Sequence, residues 1–103
     1  MEKVPVYEIA ICRIRPEMKK LLDESRIRSL RHLKLTYSGL ISISPLVSIE
    51  NENVFADLCL WESAEHAKEA AGKVMSDPEM KDYFETIESV VLMEHFKITG
   101  EPI

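Results

Sequence analysis

Val54-Phe55-Ala56-Asp57-Leu58-Cys59-Leu60-Trp61, followed at once by Glu62-Ser63-Ala64-Glu65-His66-Ala67, is the stretch on which the fold turns. Its first eight residues place Val54, Ala56, Leu58 and Leu60 opposite Phe55, Asp57, Cys59 and Trp61, the period-2 pattern of a strand. Ser63 then suits a helix N-cap, and Glu65 complements the helix dipole in the first turn. A strand therefore hands over to a helix within two residues. Ala64, Ala67, Ala70, Ala71 and Val74 give that helix a slim apolar side that permits close approach, and Gly72 weakens its end.

Downstream, Ser76-Asp77-Pro78-Glu79 restarts a helix, with Pro78 at the first position and Ser76 and Glu79 at capping-box spacing. Met80, Tyr83, Phe84 and Ile87 form its apolar stripe. Ser89 to Ile98 reads as a last strand, with a tail from Thr99 to Ile103.

Upstream, Glu50-Asn51-Glu52-Asn53 is a polar turn joining the opening strand to another from Leu40 to Ile49. There Ile41, Ile43, Val47 and Ile49 share one side, and Ser42, Ser44 and Ser48 the other. Pro45 has no N–H for a ladder, so this strand belongs at a sheet edge or carries a bulge. Val4 to Ile14 is apolar on both faces, as a strand covered on both sides would be. Between them a helix is predicted from about Pro16 to about Leu35. Its inner face is Met18, Leu21, Leu22, Ser25, Ser29, His32 and Leu33, while Lys19, Lys20, Asp23, Arg26 and Lys34 fall outside. Ile27 and Leu30, off the main stripe, suggest a second contact surface. Gly39 closes the helix–strand connection.

The order β-α-β-β-α-β is the split arrangement of a ferredoxin-like α+β fold: one domain over 1–103, a four-stranded antiparallel sheet with helices on one face. Right-handed crossovers put the first and third strands in the middle and the second at an edge. Helices cover only one face, yet the first and last strands offer apolar residues to both. A second copy stacked sheet to sheet would hide the bare face, so a homodimer is expected.

Composition limits the partners. At 103 residues, 46% hydrophobic and 30% charged, a packed globule is expected. Thirteen basic against 18 acidic residues give a net charge of −5, which disfavours nucleic acid. The basic stretch from Arg26 to Lys34 reads as the solvated side of a helix. No apolar run reaches membrane-spanning length, and the first residues lack a signal-peptide pattern. Cys12 and Cys59, inside apolar strands, read as buried free thiols of a cytoplasmic protein.

Several features together resemble the dimeric α+β barrel proteins of the antibiotic biosynthesis monooxygenase (ABM) type. They are Gly39-Leu40 opening a strand, the hairpin near Glu50–Asn53, Leu60-Trp61-Glu62-Ser63 followed by Ala67, and Ser76-Asp77-Pro78 with Tyr83-Phe84. The resemblance spans about Val4 to Lys97. It implies cofactor-independent oxygenation of a polycyclic phenol or quinol, and no metal or organic cofactor. It does not extend to the haem-degrading branch, whose strand-one Asn, helix-two Trp and later His align roughly with Cys12, Ala70 and Met80. Ala71 and Met80 also stand where other members often carry histidines.

Such chemistry needs a dry pocket, a base for the phenolic proton and a donor for the oxyanion. His32 is the candidate base, since imidazole titrates near neutrality, and Ser25 and Ser29 share its helix face. Trp61 and Tyr83 are candidates to stack on an aromatic ligand, and Tyr7 to donate a hydrogen bond. Each has a plainer reading. His32 suits a helix C-terminus as a cation, Trp61 a core or interface anchor, Tyr83 and Phe84 a helix core stripe, and the serines a close helix–sheet approach. His66 is expected to face solvent and His95 to lie in the sheet–sheet interface. Histidines at 32, 66 and 95 lack metal-site spacing. Two functions remain open: an oxygenase acting on a small aromatic molecule, or a non-catalytic dimeric module that binds a small apolar ligand.

Overall fold

The computed structural model describes residues 4–103. Strand β1 spans Val6–Ile14, and a 3-10 turn at Pro16–Met18 leads into α1, Lys19–Thr36. Strands β2 (Leu40–Val47) and β3 (Val54–Trp61) form the hairpin. Helix α2 is Ala64–Val74, a second 3-10 turn at Pro78–Met80 leads into α3 (Lys81–Glu85), and β4 is Ile87–Lys97. The sheet order is β2-β3-β1-β4 and every neighbouring pair is antiparallel. The ferredoxin-like α+β fold is thus present, with Pro45 on edge strand β2. Among the described residues no helix is long and apolar enough to cross a membrane.

Register assigns the two faces, because directly opposed residues project to the same side. Val6 faces Trp61, Glu8 faces Cys59, Ala10 faces Asp57 and Cys12 faces Phe55. Phe55, Asp57, Cys59 and Trp61 are all buried, so this is the helix-covered side. Tyr7 with Leu60, Ile9 with Leu58 and Ile11 with Ala56 form the other side. Phe96 and Leu92 of β4 extend it opposite Tyr7 and Ile11. This face is apolar and half-exposed; Phe96 keeps 40% of its surface.

Local chemistry explains the junctions. Ser63 Oγ accepts from the His66 N–H at 3.2 Å and so caps α2. Gly39 has φ +90°, and a Cβ there would meet the His66 ring at 2.4 Å, so both backbone and space require glycine. Its carbonyl accepts from the Glu62 N–H at 2.8 Å, which ties the α1–β2 turn to the start of α2.

Several expectations are corrected. Arg26, expected outside, is 8% exposed because its guanidinium finds a carboxylate and two carbonyls inside. Leu30 is buried, whereas Ile27 stays 45% exposed, so the two do not form one contact surface. The second helical segment is capped by Asp77 instead of Ser76: the Asp77 carboxylate accepts from the Glu79 N–H at 3.0 Å. Strand β2 stops at Val47, since the Ser48 hydroxyl takes the N–H groups of Glu50 and Asn51 into a turn and leaves Ile49 exposed. A register shift between Leu40 and Ser42 breaks its serine–isoleucine alternation. His95 lies on the helix side of the sheet, opposite Glu8 at 3.1 Å, and not on the bare face.

Candidate functional site

Leu22, Ser25, Arg26, Ser29 and Leu30 are the buried residues of α1, and they face a sheet row that contains one charge, Asp57. Arg26 Nη2 donates to Asp57 Oδ1 at 2.8 Å, to the Ala56 carbonyl at 2.8 Å and to the Leu46 carbonyl at 3.1 Å. Its guanidinium lies 4.8 Å from the centre of the Phe55 ring. The Tyr83 hydroxyl, arriving from α3, donates to the other oxygen of Asp57. Both carboxylate oxygens are therefore engaged, in a place where an unpaired charge would be costly. Arg26 Nε has no hydrogen-bond partner.

Around this triad the space is filled. The Tyr83 ring lies 6.0 Å from Phe55 and 5.9 Å from Phe84, centre to centre. Ser25, Ser29, Met80 and Thr86 have no accessible surface, so no water-sized void borders them. Ser25 Oγ donates to the Leu21 carbonyl at 2.6 Å, Thr86 Oγ1 to the Tyr83 carbonyl at 2.6 Å, and Ser29 Oγ to the Glu79 carbonyl at 3.4 Å. Burial, then the negative Asp57, pushes the Tyr83 hydroxyl far above its ordinary pKa. Burial likewise raises Cys12 to about 11, and Cys59 further still. Neither thiol is a nucleophile at neutral pH; both are free and buried.

A second carboxylate cluster stands one turn along α1. His32 Nε2 meets Asp77 Oδ2 at 2.7 Å, and the Tyr37 hydroxyl donates to the same oxygen at 2.7 Å. His32 Nδ1 lies 3.3 Å from Thr36 Oγ1. The His32 bond, then the Tyr37 bond, holds the Asp77 carboxyl below its usual range. Desolvation, then the Asp77 bond, lifts Tyr37 to about 12. Asp77 also borders an open groove of about 400 Å³ shared with Met75, Pro78, Lys81 and Phe84.

Of the residues singled out in the sequence, Ser25, Ser29 and Tyr83 come together under α1. His32 stands at the rim of that compartment, bound to Asp77. Trp61 belongs to a separate cluster with Val6, Leu40, Ala67 and Ala70, and its Nε1 has no partner. Tyr7 is on the opposite face of the sheet. His66, expected in solvent, is partly buried with Nδ1 2.7 Å from Ser63 Oγ. No three His, Cys, Asp or Glu side chains among the described residues are grouped to hold a metal ion. Sequence reasoning missed Arg26, Asp57, Tyr37 and Asp77. Two signals were available: one carboxylate in the inward row Phe55–Asp57–Cys59–Trp61, and Leu22–Arg26–Leu30 at i, i+4 spacing.

No protein-family model and no curated protein matches the chain. Solved structures do. A provisionally named antibiotic biosynthesis monooxygenase from Caulobacter crescentus CB15 aligns with TM-score 0.79 at 14% identity, covering 95% of this chain and 92% of its own. Another, from Bordetella bronchiseptica, gives 0.78 at 16%, covering 90% and 95%. SnoaB of Streptomyces nogalater, a cofactor-independent oxygenase, gives 0.67 at 11%, covering 96% and 95%. The chain shares their fold, a likeness of architecture alone.

Proposed function

We propose that this chain is an ABM-like, cofactor-independent monooxygenase acting on a small aromatic, phenol- or quinol-type molecule between the helices and the sheet. One observation carries the reading. A carboxylate, a guanidinium and a phenol are buried together in the compartment under α1, and desolvated, partnered titratable groups in such a place are a mark of functional sites. SnoaB, which shares the fold at 11% identity, is a cofactor-independent oxygenase. The reaction balances without a bound cofactor: the substrate supplies four electrons, one atom of O2 becomes its new carbonyl oxygen, and the other leaves as water.

In this reading Ser25, Ser29 and Tyr83 line the compartment. His32 is the base at its rim: Asp77 engages Nε2, which leaves Nδ1, beside Thr36, to take a proton. Tyr7 and Trp61 belong to the sheet face and to α2 packing. The functional unit is a homodimer, because Tyr7, Ile9, Leu58, Leu60 and Phe96 make an apolar face on the side away from the helices. The two buried free thiols suit a reducing, cytoplasmic setting. Oxygen uptake over a panel of dihydroquinones tests the activity. Turnover that His32→Ala abolishes supports it, and no uptake across the panel overturns it. Sedimentation at micromolar concentration tests the dimer: a mass of 11.8 kDa, the single chain, would refute it.

A second reading, a non-catalytic dimeric module, is favoured by the closed packing around Ser25, Ser29, Met80 and Thr86. A folded dimer that neither consumes oxygen nor binds any phenol would establish it.

A further inference from the structure

We propose that Ser63, His66 and Glu62 form a hydrolytic site in which the Ser63 hydroxyl is the nucleophile toward a small, uncharged carboxylic ester. This site is separate from the compartment under α1 and does not depend on the oxygenase reading.

The geometry starts at the strand-to-helix turn. Trp61 ends β3, Ser63 is extended at φ −160° and ψ 164°, and α2 begins at Ala64. Ser63 Oγ accepts the His66 N–H at 3.2 Å, which is all that a cap requires. The same oxygen also stands 2.7 Å from His66 Nδ1, a contact that capping does not explain. In a capping box the third helical side chain reaches back to the backbone N–H of the cap; here it reaches the hydroxyl. The Glu62 carboxylate lies 3.8 Å from His66 Nε2. A negative charge on that side favours the proton on Nε2, which assigns Nδ1 as the acceptor and the Ser63 hydroxyl as its donor. Nucleophile, base and orienting carboxylate thus stand in line, the arrangement that activates a weak hydroxyl.

The surroundings fit this role. A Cβ on Gly39 would meet Cγ and Cδ2 of His66 at 2.4 Å, so the glycine packs directly against the imidazole and fixes it. The Gly39 carbonyl takes the Glu62 N–H at 2.8 Å and anchors the same turn. Base and nucleophile are therefore placed before any ligand arrives. Beside the base opens a recess of about 450 Å³ lined by Glu65, His66, Lys68 and Glu69. That polar lining suits a short acyl group and not a long hydrocarbon chain. Glu62, Glu65 and Glu69 outnumber Lys68, so an anionic substrate is disfavoured.

The reaction balances with water as the second reactant. Ser63 Oγ adds to the ester carbonyl carbon while its proton passes to His66 Nδ1. The alcohol leaves with that proton as the C–O bond breaks. Water then gives a proton to Nδ1 and adds to the acyl-serine; the acid departs, and the proton returns to Ser63 Oγ. The positive end of α2 favours the negative oxygen that develops in each half.

A fluorophosphonate probe and 4-nitrophenyl acetate, applied to the full chain, test this. The wild-type chain should be labelled at Ser63, as located by peptide mass spectrometry, and should hydrolyse the ester faster than free imidazole at the same concentration. Ser63→Asn keeps a good cap and deletes the hydroxyl; it should lose the label and about a hundredfold or more of the hydrolysis. His66→Ala keeps the capping serine and should lose both as well. No label on Ser63, a wild-type rate in Ser63→Asn, or a label that persists in His66→Ala overturns the proposal. Glu62 is a positioning residue, so Glu62→Gln should lower kcat by about tenfold with KM unchanged. An unchanged kcat overturns that assignment.

Discussion

Two clusters in this molecule use nearly the same parts. Arg26–Asp57–Tyr83 and His32–Asp77–Tyr37 each set an aspartate between a basic side chain from α1 and a tyrosine hydroxyl. They differ in water. The two aspartates are alike, with 12% of the Asp57 and 11% of the Asp77 side chain exposed, but their partners are not: the Arg26 side chain keeps 10% and Tyr83 is buried, whereas the His32 side chain keeps 27%. The difference teaches that residue type sets which bonds form, and burial sets what their loss costs. In a low-dielectric interior an orphaned charge has no solvent to fall back on. At the rim, water replaces a missing partner.

The comparison is broken most directly at Asp57. Replacing it with Leu leaves the Arg26 guanidinium buried without its counter-charge, and urea unfolding should register a loss of about 3–5 kcal/mol. Adding Arg26→Met to Asp57→Leu should recover most of that loss. If the single change is nearly neutral, the inner cluster behaves like a surface pair and the contrast fails. Tyr83→Phe probes the same carboxylate more gently. It keeps the ring and deletes one donor to a buried charge, so about 1–3 kcal/mol should be lost.

The smallest effect belongs to the rim, and pH sharpens it. The folded-state pKa of Asp77 is depressed, so its contribution to stability is present above the ordinary carboxylate value of 3.8 and disappears as pH falls through the lower, folded value. Asp77→Asn should therefore remove part of the acid-side slope of stability while changing the neutral value less than Tyr83→Phe does. Tyr37 works in the opposite sense. Its pKa is raised from 10.0 to about 12, so its share is full below pH 10 and vanishes as pH climbs toward 12. An alkaline denaturation limb unchanged in Tyr37→Phe would show that the Tyr37 hydroxyl contributes nothing to stability there.

The inner cluster was half legible. Asp57 stood as the one charge in its strand row, but the alternation alone does not say which row faces the helices, so it went unremarked. Arg26, in a basic stretch from 26 to 34, was read as solvated because helical periodicity ranks residues by polarity and has no knowledge of a carboxylate across the gap. Neither residue alone predicts burial; the pair does, and it spans 31 positions. The rim was less legible still. His32 stood out by type, but Asp77 was hidden in a capping pattern whose more obvious member was Ser76, and Tyr37 is the C-cap of α1, where no periodicity applies.

The amino-acid order alone determined the β-α-β-β-α-β succession, the hairpin at Glu50–Asn53 and the cap at Ser63, because each follows from bonds and dihedrals within a few residues. Only tertiary structure decided that Arg26 turns inward, that Tyr83 closes on Asp57, and that His32 stands at the rim and not in the compartment. Those outcomes depend on which long-range partner satisfies a buried charge, and local pattern carries no record of it.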